Sequence, residues 1–136
     1  MKITLENSLS NLDRLEAEVE RFCEAEGIAQ ADALQLNLVL EELFTNIVSY
    51  GYDDDAVHQI TITLESGSEG IRAQVVDDAK AFNPLGVDAA DTTSPVEERG
   101  IGGLGIHFLR KMTRDQDYQR KDGRNHLTFV KPVETG

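Results

Sequence analysis

The chain has 136 residues, the size of one domain with one hydrophobic core. It carries 13 basic and 25 acidic residues, a net charge of −12, which argues against nucleic acid or an anionic membrane as a primary partner. A polar N-terminus and the lack of any long apolar run argue against a secretory signal and a membrane span, so we expect a cytoplasmic protein.

The first part of the chain predicts one strand and two helices. Polar and apolar residues alternate from Lys2 to Glu6, as in a short strand. A helix is expected to follow, capped by Asn7 or Ser8 and ending near Glu26. Apolar residues then recur on one face from about Ala31 to Val48, which predicts a second, core-facing helix.

The middle of the chain predicts a hairpin and a long loop. Alternating residues at Ile60 to Leu64 and an apolar run at Ile71 to Val76 indicate two antiparallel strands that turn at Gly67 to Gly70. Residues 79–101 have the composition of a loop. A loop of this length in a compact domain is usually functional or mobile.

The last part predicts a helix and a second hairpin. Strands near 116–121 and 124–131 flank Asp122-Gly123, a strong pattern for a tight turn. The whole order is strand, two helices, two strands, long loop, helix and two strands. This order predicts an α+β two-layer sandwich with a mainly antiparallel, mixed sheet covered on one face by helices.

Four glycines fall within the six residues from Gly100 to Gly105, directly before an apolar, helix-like segment. Glycines let a backbone approach a ligand closely, and the free N–H groups at a helix start favour an anion. The run is therefore a candidate phosphate-binding loop. On this pattern alone a flexible connection is an equally good interpretation. A P-loop is excluded because no Lys-Ser or Lys-Thr pair follows.

The second predicted helix carries two polar residues, Glu42 and Asn46, four positions apart and so on one face. A carboxylate can act as a general base, and an amide oxygen is a suitable ligand for Mg²⁺. A solvated polar stripe is the alternative, and for Glu42 alone it is favoured. Asn46 is more informative, because asparagine is a poor residue for a helix interior.

Asp77 and Asp78 follow the apolar end of a predicted strand. Acidic residues at such a position commonly begin a turn. A buried carboxylate there would instead accept a hydrogen bond from an exocyclic amino group such as that of adenine. Taken alone, the pattern favours the turn.

The histidines and the cysteine indicate no metal site. His58, His107 and His126 do not cluster in the sequence, and no Cys/His spacing typical of a metal site occurs. The single cysteine, Cys23, lies on an apolar helical face and is expected to be a buried structural thiol.

Together these features resemble the Bergerat-fold ATPases, the superfamily of gyrase, the heat-shock chaperone and sensor histidine kinases. Within it the chain resembles the stand-alone anti-sigma-factor serine/threonine kinases of bacteria. The similarity extends over nearly the whole chain, to about Lys131. It is carried by Glu41 to Tyr52, Asp77 to Pro84, Gly102 to Ile106 and Asp122 to Thr128.

The resemblance implies a role for each matching residue. Glu42 matches the general base or water-orienting carboxylate, and Asn46 matches the Mg²⁺ ligand. Asp77 matches the aspartate that reads the adenine amino group, and Thr128 matches a threonine near the adenine. An ATP lid would span about 85–101. The phosphate loop that ends it is matched by Gly100, Gly102, Gly103, Leu104 and Gly105, with Arg99 at the edge of the lid.

The resemblance also implies what the protein does. It implies one histidine-kinase-like ATPase domain over residues 1–136, which uses ATP and Mg²⁺. The implied activity is that of an ATP-dependent protein serine/threonine kinase that also acts as an anti-sigma factor. Its substrate would be a STAS-domain anti-anti-sigma protein. Its other partner would be a sigma factor or another regulatory protein, and it would form a homodimer.

One departure from the family pattern keeps a second hypothesis open. The adenine motif is usually D-x-G-x-G, and here Ala79 and Ala81 replace both glycines. The Cβ of Ala79 is expected to narrow the nucleotide pocket or to alter its backbone. The alternative function is a nucleotide-gated module that binds partners with little or no kinase activity.

Overall fold

A computed structural model describes residues 1–86 and 103–133, with the backbone alone for residues 103–107. The order of strands and helices is the one that the sequence predicts, and the α+β class is confirmed. The main elements are β1 (Lys2–Glu6), α1 (Leu12–Ala25), α2 (Gln30–Tyr50), β2 (Gln59–Gly67), β3 (Gly70–Asp77), α3 (Gly103–Met112), β4 (Arg114–Lys121) and β5 (Arg124–Lys131).

The five strands form one sheet in the order β1-β2-β3-β5-β4. All of the described pairs are antiparallel, which confirms the mainly antiparallel sheet, but the described strands contain no parallel pair of the expected mixed sheet. β3 is the central strand, and its last residue, Asp77, pairs with Ile60 of β2 and Asn125 of β5. Asp77 therefore lies inside the sheet and is buried. The exposed turn position that the sequence pattern alone favoured is wrong.

The hydrophobic core lies between one face of this sheet and the helices. Side chains alternate along a strand, so Ile60, Ile62 and Leu64 of β2 point into the core while Thr61 points to the opposite face. Cys23 is 2% exposed, as expected of a structural thiol. The helices contribute Leu15, Val19 and Phe22 from α1, Leu36, Leu40, Leu43 and Phe44 from α2, and Leu109 from α3.

The helix boundaries differ from the predicted ones by a few residues. A 3-10 turn at Leu9–Asn11 precedes α1, and Ser8 caps it by accepting a hydrogen bond from the Ser10 amide. α2 continues to Tyr50, beyond the predicted end at Val48. None of the helices in the described part of the chain is long and apolar enough to cross a membrane.

The last hairpin has the predicted turn. Asp122 and Gly123 have φ angles of 54° and 75°, the left-handed pair that a tight two-residue hairpin requires. β4 begins at Arg114, two positions earlier than expected. The register of β4 against β5 shifts between Arg114 and Asp117, where Asp115 has a φ of 53°.

Both ends of α2 are fixed to other parts of the fold. Near its start, the buried ammonium of Lys131 in β5 donates to the carboxylate of Asp32 at 3.3 Å. At its end, the Gly51 amide donates to the Ile47 carbonyl, and the Gly51 carbonyl accepts from the Lys80 amide, both at 2.9 Å. The C-terminal half of α2 is thereby held beside the chain that leaves β3.

Candidate functional site

A cavity of about 450 Å³ lies between the C-terminal half of α2 and the ends of β3 and β5. A volume of this size is typical of small-molecule sites, which are mostly apolar with a few fixed polar groups. The polar side chains on its wall come from Asn46, Asp77 and Asn125, together with Tyr50, Lys80 and Tyr118. The apolar lining consists of Leu43, Ile47, Gly51, Val75, Ala79, Ala81, Phe82, Pro84 and Leu127.

Asp77 is the buried acidic group of this cavity, with 5% of its surface exposed. Its Oδ1 accepts hydrogen bonds from the Ala79 amide and from Nδ2 of Asn125, both at 2.9 Å. Its Oδ2 accepts none from the described residues. Burial raises the pKa of Asp77 above its ordinary value, against the lowering effect of the two hydrogen bonds. One oxygen is thus fixed, while the other is available to a donor in the cavity.

Asn125 holds Asp77 and the chain after β3 together. Its Nδ2 donates to Asp77 and, at 2.9 Å, to the Lys80 carbonyl. Its Oδ1 accepts from the Tyr118 hydroxyl and from Arg120 Nη1, the latter at 3.1 Å. The same guanidinium nitrogen donates to the Ala79 carbonyl at 2.8 Å, and the Phe82 amide reaches the Asn125 Oδ1 at 3.3 Å. This network fixes both the carboxylate and the segment that forms one wall of the cavity.

Ala79 is accommodated by a glycine on the neighbouring element. Ala79 is 4% exposed, and it is not among the described residues with a positive φ. A Cβ on Gly51 would lie 2.7 Å from the Cβ of Ala79 and 2.5 Å from the Ile47 carbonyl oxygen. The space that Ala79 fills therefore exists because residue 51 has no side chain. The departure from the glycine motif leaves the cavity open and the local backbone unstrained.

Glu42 and Asn46 lie one turn apart on α2, as predicted, and both are half-buried. Asn46 lines the cavity, whereas Glu42 does not line it in the described part of the chain. No hydrogen bond or ion pair from the described residues reaches the Glu42 carboxylate. Its neighbour Glu41 has a raised pKa because of burial and of the negative charges of Glu16, Glu42 and Asp13.

The predicted phosphate loop is only partly described. The backbone of α3 starts at Gly103, so Gly103, Leu104 and Gly105 form its first turn, as expected of a glycine run that opens a helix. Arg99, Gly100, Gly102 and most of the expected lid at 85–101 lie outside the described residues.

Thr128 lies on the face of the sheet opposite to the cavity. It pairs with Gln74, whereas Asp77 pairs with Asn125, three positions earlier in β5. Side chains an odd number of positions apart point to opposite faces of a strand. The structure therefore does not bring Thr128 together with Asp77, and Asn125 and Leu127 are the β5 residues that line the cavity.

Two aromatic side chains on the cavity wall are unusually exposed. Tyr50, at the end of α2, is 45% exposed, and Phe82 is 40% exposed. Exposed aromatic faces beside an apolar cavity suit a planar ring as ligand.

Several site residues carry no recognisable signal in the sequence alone. The last two strands carry three such residues, Tyr118, Arg120 and Asn125. The alternation of these strands shows which residues share a face, but it does not show that these three side chains lie close to Asp77. Gly51 follows a helix, where a glycine usually indicates only its end. Sequence periodicity applied to β5 from the Asp122-Gly123 turn would place Asn125, rather than Thr128, on the core face.

Comparison with known proteins decides the family. Residues 5–131 match the family described as the histidine kinase-like ATPase domain. The chain belongs to this family. The resemblance predicted from the E-x-x-x-N helix, the aspartate at the end of β3, the long loop, the glycine run and the last strand is thereby confirmed.

Curated relatives include two serine-protein kinases. The chain is 28% identical over 95 residues to the serine/threonine-protein kinase BtrW of Bordetella bronchiseptica, a match that covers 70% of this chain and 67% of the relative. It is also 28% identical over 101 residues to the serine-protein kinase RsbW of Bacillus mycoides, with 71% and 62% covered. The matched region thus spans less than two thirds of that RsbW.

A solved structure confirms the fold. The crystal structure of the RsbU and RsbW domains of Rv1364c from Mycobacterium tuberculosis matches with a TM-score of 0.65 and 17% identity. The match covers 100% of this chain and 33% of the other. At this level of identity the similarity concerns the arrangement of the chain and not its activity.

Proposed function

We propose that this protein is an ATP-dependent protein serine/threonine kinase that acts as an anti-sigma factor and phosphorylates a STAS-domain anti-anti-sigma protein. The observation that carries the proposal is the buried carboxylate of Asp77, with one oxygen fixed by two donors and the other available on the wall of an apolar cavity. Membership of an ATPase-domain family and similarity to two protein kinases support it.

The residues of the cavity fit an adenine base. An exocyclic amino group needs an acceptor, and Asp77 Oδ2 supplies one that is not engaged by the described residues. Leu43, Val75 and Leu127 give the apolar surroundings that favour a ring over water. Asn125 fixes the carboxylate in advance, so little ordering is needed when the base binds.

The donor set on α2 fits Mg²⁺ held mainly by phosphate oxygens. Mg²⁺ keeps several waters and usually takes only one or two protein ligands beside a nucleotide. Asn46 would supply one such oxygen, and the described residues contain no group of three or more His, Cys, Asp or Glu that would hold a metal on its own. When bound, the ion would neutralise charge on the phosphates.

Phosphotransfer would use Glu42 as the general base. The residue lies one turn before Asn46 on the same helix, and its carboxylate is not engaged by the described residues. It would orient or deprotonate the serine or threonine hydroxyl of the partner. The amides of the glycine run from Gly100 to Gly105 would hold the phosphates at the start of α3.

The proposed partners rest on the family resemblance. A kinase of this type would hold a sigma factor or another regulatory protein, and phosphorylation would release the STAS-domain partner. We also propose that it forms a homodimer. ATP and Mg²⁺ would be its cofactors, and the cytoplasm its compartment.

The second candidate is a nucleotide-gated binding module with little kinase activity. It is favoured by one observation, that Glu42 does not line the cavity in the described part of the chain. In this case ATP would change partner affinity without transfer of phosphate.

A phosphotransfer assay with a purified STAS-domain protein of the same organism separates the two candidates. The kinase proposal expects transfer of labelled γ-phosphate to a serine or threonine, and a rate about 100-fold lower for Glu42→Gln, as is typical for loss of a general base. Glu41→Gln is the matched control, since it removes the neighbouring half-buried carboxylate, and it should stay within about threefold of wild type.

One result would count against the kinase, and another would count only against the role of Glu42. ATP binding with no transfer to the partner would favour the binding module. Transfer that Glu42→Gln leaves unchanged would remove Glu42 from the mechanism.

A further inference from the structure

A cluster of polar contacts ties the α2–β2 connection to the chain directly after β3. The cluster meets the Asn125 network at Lys80, whose carbonyl accepts from Asn125. It contains a backbone hydrogen bond from Lys80 to Gly51 at 2.9 Å, and side-chain contacts of Lys80 with Asp53 at 3.1 Å, of Tyr52 with Asp78 at 3.2 Å and of His58 with Asp78 at 3.0 Å.

His58 is the centre of this cluster because both of its ring nitrogens face carboxylates. Nδ1 lies 3.0 Å from Asp78 Oδ2, and Nε2 lies 2.8 Å from Asp54 Oδ1. A neutral imidazole has one N–H, so it would leave a lone pair facing one of these oxygens. Only the imidazolium donates to both. The ring also stacks on Tyr52, with centroids 4.2 Å apart and planes 15° apart.

The backbone of His58 is fixed independently of its side chain. Its amide donates to Asn7 Oδ1 at 2.9 Å, and its carbonyl accepts from the Asn7 amide at 3.0 Å. Asn7, which follows β1, therefore contacts the backbone of His58 and brings no charge to the ring. The groups that face the ring are Asp54 from its own connection, Asp78 from the end of β3 and the Tyr52 ring.

The electrostatic environment of these groups agrees with the geometry. The hydrogen bonds to Asp78 and Asp54 raise the pKa of His58 above its ordinary value of 6.5. Burial opposes the ionised form of Asp78, but the hydrogen bonds of His58 and Tyr52 lower its pKa overall. The hydrogen bond of His58 also lowers the pKa of Asp54. The three groups stabilise one another in the charged state.

We propose that His58, as the imidazolium held between Asp54 and Asp78, is a positioning residue for the nucleotide cavity. It acts through Asp78, which is covalently linked to Asp77 and Ala79, the residues that present the acceptor and the wall of the cavity. The inference rests on the proposed nucleotide site and adds a dependence on pH. The contact is complete at a pH of about 6.5, where both aspartates are ionised, and is lost as the pH rises through the higher pKa of the folded protein.

The test measures the Kd for ATP with Mg²⁺ by calorimetry from about pH 6 to about pH 9, a range that covers the charge change of a histidine. In wild type the Kd should rise about threefold to tenfold across this range, the size expected of a residue that acts through others. His58→Gln keeps a polar side chain but cannot become a cation. It should bind more weakly at the low end of the range and lose this dependence on pH.

Two further variants separate positioning from a general effect on the fold. His126→Gln is the matched control, since His126 is half-buried on β5 and its side chain lies on the face opposite to the cavity, and it should reproduce the wild-type profile. Asp54→Asn changes a carboxylate that is 58% exposed and does not line the cavity. It should shift the midpoint of the profile to lower pH, because His58 then loses one of its two anions.

The outcome that overturns the inference is a His58→Gln variant with the affinity and pH profile of wild type. If wild-type protein binds no ATP at any pH, the proposed function fails. The positioning role is then decided by nuclear magnetic resonance of the Ala79 and Lys80 amides. Amide chemical shifts that change with pH together with the His58 imidazole support it. Amide chemical shifts that stay constant while the imidazole titrates refute it.

Discussion

At the scale of single residues, the site depends on how Asn125 uses both ends of its amide. One end donates to Asp77 and to the Lys80 carbonyl, and the other accepts from Tyr118 and Arg120. The residue is 6% exposed, so water cannot easily replace these contacts. Loss of one partner leaves buried groups unsatisfied, which costs more than the bond itself contributed.

Replacement of Asn125 by alanine should therefore reduce stability and nucleotide binding together. We expect the free energy of unfolding, measured by urea denaturation, to fall by about 1–3 kcal/mol, the range for buried groups left without a partner. The Kd for ATP should rise because Asp77 is no longer held in place. The control is Thr128→Val on the opposite face of β5, which should leave affinity within about twofold. If Thr128→Val weakens binding as much as Asn125→Ala does, the role predicted for Thr128 from the family pattern is the better one.

At the scale of elements, the contact between the end of α2 and the segment after β3 sets the shape of the cavity. The two meet where Gly51 lies against Ala79, and a side chain on Gly51 would collide with that of Ala79 and with the Ile47 carbonyl. Together with the hydrogen bond from the Lys80 amide to the Gly51 carbonyl, this contact sets how closely the helix that carries Asn46 approaches Asp77. Where the D-x-G-x-G pattern has a glycine, this chain has Ala79, and the absence of a side chain on Gly51 leaves room for it.

This arrangement predicts a coupling between positions 51 and 79. Gly51→Ala should destabilise the protein by about 1–3 kcal/mol, the usual cost of overpacking. Ala79→Gly in the same chain should restore part of that loss, since it removes one of the two clashing atoms. A double-mutant cycle from thermal or urea unfolding measures the coupling. If the two changes in the free energy of unfolding are strictly additive, the side chains at positions 51 and 79 do not contact each other, and the coupling is refuted.

At the scale of the whole molecule, the sequence was sufficient for the fold because its elements are locally encoded. The alternation at Ile60 to Leu64 and the turn at Asp122-Gly123 define strands and hairpins by short-range chemistry. The pairing of β3 with β5 is non-local, so the convergence of Asn125 on Asp77 follows only from the register of two strands far apart in sequence. Ala79 illustrates the same limit, because its effect depends on a glycine at the end of α2.

The measurement that tests the account most directly is ATP binding by calorimetry with Mg²⁺ on wild type and on Asp77→Asn. The variant keeps an oxygen that can accept from Ala79 and Asn125, while an amide nitrogen replaces the available oxygen. Burial raises the pKa of Asp77, so the carboxylate opposes folding once the pH exceeds that raised pKa. The variant should therefore be at least as stable as wild type at neutral pH.

Wild type should bind ATP, and Asp77→Asn should weaken binding about tenfold or more, as expected for the loss of a hydrogen bond to a charged acceptor. Weaker binding by a protein of equal or greater stability would assign the effect to recognition of the base. No binding by the wild type, or equal binding by both proteins, would contradict the assignment of this cavity as an adenine site.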